Sequence, residues 1–279
     1  MNHHDYLAFD TSCVSTSQPG DNDYHILFSG DMLLVRNKDD SIALPRRSDI
    51  RLPDSVLSNT QYLGLWHGTP CYASIANIPD TLPSGFCTHS LRSLLPVFTE
   101  EEFLVCARAS QILQWDKNHR FCGQCGTPTV QRATERSKEC PRCGLIAFPR
   151  ISPAIIVAVV RDNTLLLAHN ASANHSFYSV LAGFLEPGES FETCVKREVF
   201  EEVALRIKNI HYFGSQPWPF PDSLMVAFTA QYDSGTIAVD GVEIDHADWY
   251  LPNNLPATPR TGSISRKLID WFLAGSHHG

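Results

Sequence analysis

Cys122-x-x-Cys125 and Cys140-x-x-Cys143 constrain this chain more than any other feature of its sequence. Two such knuckles can place four thiolates tetrahedrally around one zinc ion, and a redox CxxC does not normally come twice. A glycine directly follows each second cysteine (Gly126, Gly144), where a tight turn around a metal calls for positive φ. The opening residues, MNHHDYLAFD, show no basic region followed by an apolar run, so neither a secretion signal nor a disulfide framework is expected. Cys13, Cys71, Cys87, Cys106 and Cys194 lack ligand spacing and read as small buried hydrophobes.

The cysteine segment also divides the chain. At 279 residues and 43% hydrophobic content there is enough apolar material for more than one core. Residues 1–115 alternate short β segments, "DYHILFSGDMLLVRN" and "TQYLGLWHGTPCYASI", with Pro-, Gly- and Asn-rich turns, and end in a helical stretch, "EEEFLVCARASQILQWDKNHR". That predicts an α+β N-terminal domain, then a zinc ribbon over 116–150 and a third domain over 151–279. In the last, "AIIVAVVRDNTLLLAHN" gives two strands across an Asp162-Asn163 turn and "FYSVLAGF" a possible third. A helix around 190–203, a strand in "SLMVAFTAQYD" and an amphipathic helix through "SISRKLIDWFLAG" complete the reading. No internal repeat is legible.

A net charge of -8 and a pI near 5.8 argue against holding nucleic acid through bulk positive charge. No run reaches the ~18 apolar residues a bilayer crossing needs, so a cytoplasmic protein without a membrane partner is expected. One local exception is the ribbon, where Lys117, Arg120, Arg132, Arg136, Lys138, Arg142 and Arg150 outnumber Asp116, Glu135 and Glu139. That excess fits either salt-sensitive contact with RNA or ordinary solubility.

"REVFEE" collects Glu198, Glu201 and Glu202 at helical spacings of three and four, where like charges repel. Ser190 is placed to cap this helix, and Phe191, Val195 and Val199 form its apolar face. The acids lie toward the C-terminal half, where the helix dipole disfavours them. A solvated acidic face is one reading. The other is a site for Mg²⁺ or Mn²⁺, which take carboxylate oxygens and complete their shells with water and substrate phosphate.

The stretch from Gly183 to Leu205 resembles the Nudix box, G-x5-E-x7-R-E-U-x-E-E-x-G-U, with Gly183, Glu189, Arg197, Glu198, Val199, Glu201, Glu202 and Leu205 in register. Ala204 stands where the box has its last glycine. The resemblance implies an α/β/α sandwich that hydrolyses a nucleoside diphosphate linked to another moiety. Downstream, "SQPWPFPDS" alternates prolines with Trp218 and Phe220, which predicts a rigid loop because proline lacks the ladder donor. It is either a packed aromatic corner or a surface for a nucleobase. With the ribbon and box, it resembles the SQPWPFPxS motif of the NADH pyrophosphatase (NudC-like) branch.

That resemblance implies site residues. Glu198, Glu201, Glu202 and Glu243, with the carbonyl of Ala182, would bind the catalytic Mg²⁺ or Mn²⁺, and Arg197 would orient the glutamates. Phe148, from "FPRISP", and Phe184 would clamp the nicotinamide ring. Gln216, Pro217, Trp218, Pro219, Phe220, Pro221, Asp222 and Ser223 would line the base and ribose pocket, and Arg92, Glu135 and Ser265 would add substrate contacts. The implied activity is cleavage of NAD(H) to nicotinamide mononucleotide and AMP and removal of NAD caps from RNA, by a homodimer.

Overall fold

The computed structural model describes residues 9–13, 19–38, 41–50, 57–77, 82–171 and 177–275. The chain separates into two compact units, residues 1–150 and 151–279.

In the second unit the apolar run after the ribbon forms β1 (Ser152–Arg161), which turns at Asp162-Asn163 into β2 (Thr164–Asn170). Asp162 takes the positive φ (52°) that a two-residue hairpin of the right twist requires. There follow β3 (Leu181–Phe184), α1 (Phe191–Val203), β4 (Arg206–Trp218), β5 (Ser223–Ser234), β6 (Ile244–Tyr250) and α2 (Ile264–Leu273). The sheet runs β4-β5-β1-β2-β6, with β3 also on β1 and β5 parallel to β1.

The period of two along β1 builds the layers. Ile155, Val157 and Val159 share a core with Cys194, Val195, Val199 and Val203 of α1, while Ile156, Ala158 and Val160 share one with Ile264, Leu268, Ile269 and Phe272 of α2. A central strand buried on both faces must read as an unbroken apolar run, which is why "AIIVAVV" shows no alternation. The result is the α/β/α sandwich anticipated from the box.

In the first unit, β7 (Tyr24–Ser29) and β8 (Met32–Lys38) form one hairpin, and β9 (Leu57–Trp66) and β10 (Thr69–Ala76) another. Their order, β9-β10-β7-β8 with β10 parallel to β7, repeats that of β4-β5-β1-β2. A helix, α3 (Glu100–Asn118), follows the second hairpin as α2 does in the other unit, started by a reciprocal Thr99–Glu102 capping box. The repeat is invisible in the residues because it lies in strand pairing alone. The described residues between β8 and β9 carry only a short strand and a single 3-10 turn, with no counterpart of α1.

Two sequence expectations need correction. Ser215–Trp218 is strand, not loop: Gln216, Pro217 and Trp218 pair with Met225, Leu224 and Ser223. β4 is the terminal strand of its sheet, so the proline can turn its donor-less nitrogen away from the ladder. Of the remaining cysteines, Cys71, Cys106 and Cys194 are buried as expected, but Cys13 and Cys87 are only half-buried.

Ala204 ends α1 in the left-handed region (φ 58°, ψ 24°), where its N–H still donates to the Phe200 carbonyl at 2.9 Å. A Cβ there is strained, and glycine is the usual occupant. Ala204→Gly is therefore expected to stabilise the protein by about 0.5–1 kcal/mol, the relief being partly offset by the freer unfolded chain. Denaturant titration of the two proteins would measure it.

Candidate active site and zinc ribbon

The two cysteine knuckles are near copies. Gly126 and Gly144 donate to the carbonyls of Cys122 and Cys140, each at 2.9 Å, and have φ of 72° and 75°, as the tight-turn argument requires. The Sγ pairs Cys122–Cys143 and Cys125–Cys140 are 3.5 Å apart, Cys125–Cys143 is 3.7 Å, and all four sulfurs lie within 4.8 Å of one another. Thiolates ~2.3 Å from a tetrahedral zinc sit ~3.8 Å apart, so the donor set fits that ion.

The acidic helix is held by one guanidinium. Arg197 Nε and Nη2 each donate at 2.9 Å to the two oxygens of Glu189. Its Nη1 reaches Glu198 at 2.8 Å and Glu201 at 2.9 Å, and Nη2 also reaches the Phe184 carbonyl at 2.9 Å. Arg197 in turn draws the Glu189 carboxyl down to about 2. Ser190 caps the helix, its Oγ accepting from the Thr193 N–H at 3.3 Å. Gly183 is needed for close approach: a Cβ there would overlap the Glu198 carboxyl.

Burial separates Glu198, Glu201 and Glu202. Glu201 is exposed and bonded to Arg197, and Glu198 is half-buried and bonded to the same nitrogen. Glu202 is only 5% exposed, and its buried Oε2 has no hydrogen-bond partner. Burial first, then the charges of Glu198, Glu243, Asp240 and Glu201, pushes its carboxyl up to about 8. Glu198 is also raised, again first by burial. An orphaned buried carboxylate oxygen among other carboxylates suits a hard divalent cation. Among the described residues these acids are not drawn to within ligand spacing as the four thiols are.

Glu243 enters from the segment before β6. Asp240 organises that segment, its carboxylate accepting from the backbone N–H groups of Val242 (3.3 Å), Glu243 (3.0 Å) and Ile244 (2.8 Å). Sequence reasoning assigned no role to Asp240 or Glu189. The signals that could have found them are the Asp-Gly pair at Asp240-Gly241, a common turn dipeptide, and the fixed box position of Glu189.

Other expected residues are placed as follows. Ala182 and Phe184 lie on β3 beside the helix, with Phe184 58% exposed. Phe148, in the first unit, is 57% exposed. Trp218 and Phe220 pack edge to face at 5.1 Å, and Asp222 accepts from Ser152 Oγ at 2.8 Å. Pro219 and Ser223 are buried, while Pro217 is half-buried and Pro221 exposed. Gln216 is committed elsewhere, its amide donating to the Gly262 carbonyl and accepting from the Ile264 N–H, both at 2.8 Å, so it fastens the start of α2. Ser265 Oγ is 2.7 Å from Ser179 Oγ. Arg92 is exposed, and Glu135 pairs with Arg132 and accepts from Ser137 at 3.0 Å. Lys138 is buried against Asp116 at 2.9 Å and Arg136 donates to the Tyr62 carbonyl at 2.8 Å, so part of the ribbon's positive charge is structural. Lys117, Arg120, Arg142 and Arg150 are exposed.

Three family models match the chain: a NADH pyrophosphatase-like rudimentary NUDIX domain at residues 22–115, a NADH pyrophosphatase zinc ribbon domain at 117–148 and a NUDIX domain at 150–272. The NAD-capped RNA hydrolase NudC of Stutzerimonas stutzeri is 42% identical over 236 residues, 85% of each chain. This chain belongs to the NudC-type Nudix hydrolases. NudC of Pseudomonas aeruginosa is likewise 42% identical over 85% of each chain, and that of Pseudomonas fluorescens is 39% identical over 95% of this chain and 94% of its own. The rudimentary match falls on the unit whose hairpins repeat the sandwich's strand order and whose described residues carry no counterpart of its acidic helix. Membership of the NudC-type Nudix hydrolases makes the chain a hydrolase with a zinc ribbon and a requirement for a divalent metal.

Two outcomes are expected. Cys140→Ser removes one of four thiolates from a site whose binding energy is also folding energy, so zinc content by elemental analysis and the melting temperature should both fall. The second concerns pH. Glu202 holds its proton up to about 8 in the folded protein against an ordinary value of 4.5. Between those values the folded state binds the extra proton, so without divalent ions stability should decline as pH rises from about 5 to 8. In Glu202→Gln that decline should flatten, as denaturant midpoints across the range would show.

Proposed function

We propose that this protein hydrolyses the pyrophosphate bond of NAD(H), giving nicotinamide mononucleotide and AMP, and removes NAD caps from RNA 5′ ends in the cytoplasm, as a homodimer. The observation that carries the reading is the buried, unpartnered Glu202 oxygen beside Glu198 and Glu243, on a helix where Glu198 and Glu201 are already tied to Arg197.

Glu198, Glu202 and Glu243, with the Ala182 carbonyl, would hold Mg²⁺ or Mn²⁺. Such a cation, when bound, neutralises pyrophosphate oxygens and lowers the pKa of a water ligand. Glu202 takes the proton from the attacking water, since its second oxygen is bonded to nothing else. Arg197 keeps Glu198 and Glu201 in place and leaves Glu202 free of a guanidinium bond. Phe184 and Phe148 each offer an exposed ring on which a nicotinamide can stack. Trp218 and Phe220, locked edge to face, give a pre-ordered aromatic surface for a base. For capped RNA, the exposed Lys117, Arg120, Arg142 and Arg150 supply salt-sensitive contacts to the phosphates.

Incubation with NADH and Mg²⁺ or Mn²⁺ should yield nicotinamide mononucleotide and AMP by chromatography. Glu202→Gln should slow turnover by roughly two to four orders of magnitude, the scale of a lost general base. Faster cleavage of ADP-ribose than of NADH would reject the assigned substrate, and near-normal turnover in Glu202→Gln would reject the assigned site. Phe184→Ala should raise the Michaelis constant for NADH by an amount equivalent to ~1–3 kcal/mol of stacking.

A further inference from the structure

Asp240 is given no role by the motifs that mark the acidic site, yet its bonds join the two elements that carry it. Its backbone N–H donates to the Glu202 carbonyl at 3.2 Å, and two residues earlier Ala238 donates to the Val203 carbonyl at 3.1 Å. Those carbonyls belong to the last turn of α1, where no further helical donor is available, so residues 238–240 cap the acidic helix. On its other side the Asp240 carboxylate gathers three successive backbone N–H groups. Oδ1 accepts from Val242 and Ile244, and Oδ2 accepts from Glu243. The turn is closed further by the Gly241 N–H donating to the Ile244 carbonyl at 3.0 Å, and the Glu243 carbonyl accepts from Ala171 at 2.9 Å.

We infer that Asp240 is a positioning residue for the divalent-cation site, fixing the Glu243 carboxylate against Glu202 by tying its backbone to the end of α1. This rests on the reading above that Glu202 and Glu243 hold the cation. Asp240 is not itself assigned as a ligand, because both of its oxygens already accept backbone bonds. Gathering those N–H groups requires a carboxylate, which accepts at both oxygens, whereas an asparagine of the same shape presents them with one acceptor and one donor.

The test is Mn²⁺ binding by titration calorimetry on the zinc-loaded protein, without substrate. Asp240→Ala should weaken Mn²⁺ by about 10- to 100-fold, the usual effect of losing a residue that orients a metal ligand. Asp240→Asn should show an intermediate loss and carries the test if the alanine variant does not fold. Each loss should disappear when the substitution is made in a Glu243→Gln background, because the residue would then have no ligand to position. Zinc content should stay at the wild-type level. Unchanged Mn²⁺ affinity in both Asp240 variants would overturn the inference, as would a loss that persists in full beside Glu243→Gln. If Glu202→Gln and Glu243→Gln both bind Mn²⁺ normally, the cation site itself fails; if they lose it and the Asp240 variants do not, only the positioning role fails.

Discussion

The acidic site depends on one planar cation. Arg197 reaches from the middle of the helix to the turn before it, taking both oxygens of Glu189 and the Phe184 carbonyl, and also holds Glu198 and Glu201. A single guanidinium thereby fixes strand end, turn and helix in one geometry. Lysine could not replace it, since a point charge on a flexible stem cannot present a bidentate fork and further donors at once. Arg197 also sorts the acids. Those it touches are neutralised in place, and Glu202, packed against the core, keeps an oxygen for other chemistry.

The platform beneath that arrangement is the doubly buried β1. Its odd residues hold the acidic helix and its even residues the C-terminal helix, so neither layer can shift without opening a core on the other face. β3 pairs along the same strand and brings Gly183 under the Glu198 carboxyl. The closeness of that approach explains why the position before Phe184 has no side chain.

Much of this was legible in the residues. The thiolate cage, the acidic helix with its Ser190 cap, and the two strands around Asp162-Asn163 follow from spacing and periodicity, because local rules decide them. What escaped was non-local. Gln216 sits in a motif that suggests ligand contact, but its amide is spent on the chain entering α2, a partner 46 residues away along the sequence. Lys138 and Arg136 counted as surface charge until Asp116 and the Tyr62 carbonyl were seen beside them. The likeness of the two units is a likeness of strand order, which composition does not record. Asp240 has no role in the sequence reading, since its importance comes from the carbonyl of Glu202 on another element.

Pro217 has a further consequence. β4 ends its sheet as a thirteen-residue strand, a length that would ordinarily offer a long row of outward N–H and C=O groups to any extended chain. Proline interrupts the outward donors near one end, and the register shifts between Lys208 and His211 and between Tyr212 and Gly214 break the row again. Exposed Arg206, Lys208 and His211 add polar bulk along the same strand. A foreign strand therefore finds no continuous ladder on which to zip, and the chain keeps a long edge without inviting aggregation through it.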